Sequence, residues 1–162
     1  ILMDDRGAST LFTGLTLSLY GVPFILLAPF GGRLADRHGP LRTLPLAILG
    51  VIGVTVLYGA LETPGILMSF AMVEATFNAV ALPATQAAMA RATEEHERAL
   101  GFGVAAAAGQ VSAGIAALVA APVYAAQGQF FVFALLAAAV AVVAAGGYVL
   151  LRSASTTTPH QN

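Results

Sequence analysis

Five long apolar stretches, separated by short segments that hold nearly all the charge, constrain this chain more than any other feature. A helix that crosses a bilayer needs about 20 largely apolar residues. Charges, glycines and prolines divide the sequence into segments of that order at 9–31, 44–61, 64–90, 99–126 and 130–151. Lipid offers no partners to backbone N–H and C=O groups, so uninterrupted apolar runs of this length must satisfy those groups internally, as helices. The expected fold class is therefore all-α: a polytopic membrane helical bundle of about five transmembrane helices. Composition agrees, because 58% of residues are hydrophobic and only 9% charged, whereas soluble domains carry roughly a quarter charged residues. The last residues, 153–162, are polar and rich in threonine, and they are expected to form a disordered cytoplasmic tail.

The same composition narrows the chemistry. The chain has no cysteine, which removes disulfides and thiolate metal sites. A net charge of -1 gives no reason to expect a nucleic-acid partner. His38, His96 and His160 all fall outside the apolar segments, as do all the aspartates. An intramembrane hydrolase built on paired aspartates, a buried Ser–His pair or zinc is thus not expected, nor is any metal or cofactor. There is no lysine and no G-x-x-x-x-G-K-[ST] loop, so ATP is not expected to act directly. The chain starts at Ile1 with a polar Met3-Asp4-Asp5-Arg6 stretch that does not resemble a cleavable signal, and it is expected to be a piece of a longer product.

Arginine placement sets the orientation. With five alternating crossings, Arg33, Arg37, Arg42, Arg91, Arg98 and Arg152 share one face and only Arg6 lies on the other. Basic residues accumulate on the cytoplasmic side, which puts the 32–43 and 91–98 connections and the C-terminus inside. Tyr58, Tyr124, Phe130 and Phe131 then mark the outer interface, and Phe30 and Tyr148 the inner one.

Between the first two segments runs Gly32-Arg33-Leu34-Ala35-Asp36-Arg37-His38-Gly39-Pro40-Leu41-Arg42-Thr43-Leu44. Gly32 and Gly39 suit a tight turn, Pro45 suits the first turn of the next helix, and Asp36 is placed to accept from free N–H groups at that helix's start. This stretch resembles the signature loop of the major facilitator superfamily, G-x-L-A-D-R-x-G-R-R-x-x-L. Gly32, Leu34, Ala35, Asp36, Arg37, Gly39 and Leu44 match it, whereas Pro40 and Leu41 replace its basic pair and Arg42 follows one position late.

The resemblance implies a solute transporter built from two six-helix halves and working by alternating access. Because every basic residue is arginine and alanine is abundant, a bacterial inner membrane is its expected location. The resemblance also implies a conformational latch made by Gly32, Asp36, Arg37, Gly39 and Arg42, with Glu94, Glu95 and Glu97 as candidate charge partners. In the family the loop joins the second and third helices of each half. The chain is then read as helices eight to twelve, with the missing N-terminal half as its partner. The reading as helices two to six stays open, although 113–118 does not match the G-P-x-x-G-G motif of many exporters.

Ionisable groups inside a bilayer cost roughly 2.5 to 3.5 kcal/mol at a helix centre, and Glu74 alone is placed to need a reason. Asn78 follows one turn later and Thr85 about two turns after that, giving a polar stripe on an apolar helix. Glu74 and Asn78 are candidates for a proton or substrate pathway, with Gln110 and Tyr20 as further candidates. Each also suits interhelical hydrogen bonding or packing. Small residues at Ala105, Gly109, Ala113, Ala117 and Ala121 make one side of the fourth segment smooth enough for close helix approach. Pro23, Pro29, Pro83 and Pro122 fall inside segments, where kinks are expected.

The expected function is secondary active transport of a small organic solute across the lipid bilayer, outward, with protons as the candidate coupling ion. The alternative is a non-transporting assembly or receptor component that keeps the same fold.

Overall fold

The computed structural model of the chain describes residue 7 and residues 9–157, except the side chains of residue 151 and residues 153–157. Arg6 and residues 158–162, on which parts of the orientation and tail readings rest, lie outside the described residues. Five long helices follow one another: α1 (Thr10–His38), α2 (Pro40–Tyr58), α3 (Pro64–Ala92), α4 (Arg98–Gln127) and α5 (Gln129–Thr157). A single 3-10 turn, Glu95–Glu97, precedes α4, and no strand occurs among the described residues. All five helices are long and apolar enough to cross a membrane. The chain is an all-α polytopic membrane bundle.

Local chemistry explains the ends. The Ser9 side chain accepts from the Phe12 N–H at 3.2 Å and starts α1 as an N-cap. Pro64 starts α3, where a missing N–H costs nothing. Gly128, at φ +81°, ends α4 and donates its N–H to the Tyr124 carbonyl at 3.0 Å. Helix α5 continues to Thr157, beyond the expected break after Arg152, because no glycine or proline interrupts 153–157 and Pro159 is the first stop signal.

The hairpin between α1 and α2 is tighter than the sequence suggests. Helix α1 runs through the expected loop to His38, and the reversal is made by Gly39 alone, at φ +81°, followed by Pro40 at the start of α2. Asp36 and Arg37 therefore lie on the last turn of α1. No side chain caps the start of α2, so the expected capping role of Asp36 is not realised. Pro45 falls inside α2, since Pro40 takes the first position. The buried Thr43 hydroxyl locks the corner instead, donating to Gly39 O at 3.1 Å and reaching Leu34 O at 3.5 Å.

Helix α3 is the centre of the bundle. It packs against α1 and α2, while α2 carries α5, and α4 rests mainly on α5. Apart from Leu67, its buried side chains, Ala75, Ala79, Ala84 and Ala88, are small, which lets neighbouring backbones come close. Closest approach falls at Gly31: a Cβ there would run into the Ala79 carbonyl and stand 2.8 Å from Val80 Cα. Gly32, by contrast, lies within α1 with nothing near its missing side chain, so it forms no turn. Hydroxyl groups within the helices turn back to carbonyls one turn earlier, as Thr16, Thr55, Thr76 and Thr85 do at 2.8–2.9 Å, which satisfies them without water.

Helix α4 departs from expectation. None of its residues is buried, and the small stripe at Ala105, Gly109, Ala113, Ala117 and Ala121 is exposed along its whole length. Among the described residues no helix uses that stripe for close packing. The surface elsewhere is strongly apolar, with Leu11, Ile25, Leu118 and Val143 each more than two-thirds exposed. Exposed side chains of this kind suit lipid contact rather than water.

Candidate functional site

The central polar cluster is assembled from three helices. Glu74 and Asn78 stand one turn apart on α3, and both are partly buried. The Asn78 amide donates to the Tyr20 hydroxyl of α1 at 3.0 Å. The Glu74 carboxyl lies within hydrogen-bonding reach of the Tyr58 hydroxyl, from the end of α2, and of the Asn78 amide. Two phenols and an amide thus surround the one carboxylate that sits away from the ends of the spanning helices. Every donor in this set is neutral, and no guanidinium partners Glu74 among the described residues.

Tyr58 was not singled out as a site residue from the sequence, where it read as an interface aromatic. Its ring stacks obliquely on Phe133 of α5 at 5.5 Å between centroids. Helical side chains lean toward the N-terminus of their own helix. For Tyr58 that direction is back along α2 toward the level of Glu74, a signal available from the hairpin pattern. The Gln129 side-chain amide holds this corner, donating to the Leu61 carbonyl at 2.9 Å and also to the Tyr58 carbonyl. Phe130 fills the space beside Gly59, where a Cβ would stand 2.9 Å from its ring. The first turn of α5 therefore positions the residue that faces Glu74.

Other candidates fall elsewhere. Thr85 spends its hydroxyl on the Ala81 carbonyl at 2.8 Å. Gln110 lies exposed on α4 and does not join Glu74. Of the latch residues, Asp36, Arg37 and Arg42 are exposed around the Gly39 corner. The expected charge network with the 94–97 turn is not formed among the described residues. Glu94 and Glu97 instead approach His96, at 3.5 and 4.0 Å. These groups are largely solvent-exposed, and such pairs contribute little. Among the described residues no group of three or more His, Asp or Glu side chains comes together as a metal site.

A bundle of five long apolar helices, turned at a glycine within a basic-acidic motif and holding a carboxylate between helices, is that of a polytopic membrane protein. The family model of the Major Facilitator Superfamily matches residues 1–162, and the chain belongs to that family. No curated protein and no solved structure matches the chain. Membership makes it a multi-pass membrane protein of a family that transports small solutes.

Proposed function

We propose that the chain serves secondary active export of a small organic solute by alternating access, with Glu74 as the group that takes up and releases the coupling proton. The observation that carries this reading is the placement of Glu74: a carboxylate in the membrane span, bordered by Tyr58, Asn78 and Tyr20 with no basic residue to neutralise it. A carboxylate so placed needs a cation, and a proton is the one always available. The neutral donors around it can hold either protonation state, because hydroxyls both donate and accept.

The hairpin at Gly39 corresponds, by the motif, to the one between the second and third helices of a six-helix half. The five helices are then the last five of the C-terminal half, with the basic ends in the cytoplasm of a bacterial cell and the other half completing the pathway. Asp36, Arg37 and Arg42 around that hairpin form the conformational latch. Gln110, on the exposed face of α4, is read as lining the side of the pathway that the other half closes.

The test is Glu74→Gln in the intact transporter, assayed in inverted membrane vesicles with a panel of small organic solutes. The expected result is loss of movement driven by a pH gradient, with downhill exchange retained. Unchanged rate and unchanged pH dependence would remove Glu74 from coupling.

A further inference from the structure

Two adjoining clefts lie along the last turns of α1 at the basic end of the bundle. One, of about 500 Å³, opens between α1, α2 and α3, with a floor of Leu46, Ala47, Phe77 and Val80 and with His38 and Arg42 on its rim. The other, of about 530 Å³, adjoins it between α1 and α3 and carries Arg33 and Arg37. They share Leu34, His38 and Val80. We propose that this pair of clefts is a binding site for an anionic phospholipid, whose acyl chains occupy the apolar floors and whose phosphate is held at the rim by Arg42 and Arg37 with His38 between them.

Charge complementarity selects the ligand. Arg33, Arg37 and Arg42 cluster within three turns of chain around Gly39, and none forms an ion pair among the described residues. Arg33 instead lies over the Phe30 ring at 5.8 Å. Asp36 is among the lining residues of neither cleft. Unneutralised guanidinium groups at one end of a membrane bundle call for an anion, and basic pockets between spanning helices recognise phospholipid headgroups.

Shape and position select a lipid over a soluble anion. The helix ends that carry these arginines lie where a bilayer places its headgroups. Below them the walls are hydrocarbon, which a free phosphate would leave uncovered. Leu34 and Leu46 are 42% and 71% exposed, so the first cleft opens sideways to the surrounding lipid.

The chain contains no tryptophan, so a single introduced indole reports on its own surroundings. Leu46→Trp in the complete transporter, with any tryptophan outside this chain replaced, reconstituted in phosphatidylcholine vesicles, is quenched by lipids brominated on their acyl chains. Brominated phosphatidylglycerol is expected to outcompete brominated phosphatidylcholine by about fivefold, and Arg42→Gln in the same background to bring the ratio near one. Val142→Trp, on the exposed side of α5, should show no preference. Native mass spectrometry of the unsubstituted complete transporter should show a retained phosphatidylglycerol adduct, which also covers failure of the tryptophan variant to fold. Equal quenching by both lipids at position 46, the same preference at position 142, or no retained adduct would overturn the site. Loss of the preference in inorganic phosphate, but not in sodium chloride of equal ionic strength, would assign the arginines to a soluble anion and equally overturn it.

Discussion

The Asn78 side-chain amide donates to the Tyr20 hydroxyl at 3.0 Å, joining α3 to α1 beside the carboxylate of Glu74. Interhelical hydrogen bonds in membranes contribute modestly, about 0.6 kcal/mol on average. Tyr20→Phe and Asn78→Ala should therefore each lower thermal stability in detergent. Their double-mutant cycle should give a coupling of about that size. Strictly additive effects would show that the bond contributes nothing.

Adjacent glycines in α1 should respond in opposite ways. Gly31→Ala places a methyl group against the Ala79 and Val80 backbone, where overpacking costs typically 1–3 kcal/mol. Gly32→Ala meets nothing and removes a helix-interior glycine, so a gain of about 0.5–1 kcal/mol is expected. Thermal unfolding of the two variants side by side checks both signs.

Gln129→Ala withdraws the donor shared by the Tyr58 and Leu61 carbonyls. Burying an unsatisfied polar group costs about 1–3 kcal/mol, and the low end is expected because this corner lies near the end of the helices. The midpoint of thermal unfolding should fall. If Glu74 carries the coupling proton as proposed, proton-driven transport should fall with it, since the same corner sets the Tyr58 ring against Phe133.

Asp36 makes no hydrogen bond or ion pair among the described residues, although it lies within the family's signature motif. Asp36→Ala should leave the thermal stability of this bundle within about 0.5 kcal/mol of the parent, as surface substitutions do. A latch role adds a second expectation, a reduced turnover in the complete transporter at unchanged membrane levels. An effect confined to membrane levels would contradict the latch.

The helices were legible because each apolar run exceeds a bilayer's thickness and lipid permits few alternatives. The 32–43 hairpin was misjudged because two glycines read as a loop, yet only Gly39 adopts positive φ and α1 tolerates Gly32 in its interior. Glu74 and Asn78 were visible as a local stripe on one helix. Tyr58 and Gln129 were not, because their contacts span the α2–α3 hairpin and 71 residues of chain, respectively, and depend on how α5 docks on α2. The α4 stripe shows the converse. Four-residue spacing of small side chains permits close packing but does not supply the neighbour.

A coupling role requires Glu74 to face a pathway open to water. The chain has no cysteine, so Glu74→Cys in the complete transporter, with any cysteine outside this chain replaced, offers one thiol to a membrane-impermeant maleimide. Labelling at position 74 should be slowed by a transported solute, with Val142→Cys on the outer surface of α5 left unlabelled. A thiol at 74 that reacts only with lipid-soluble reagents would contradict that role.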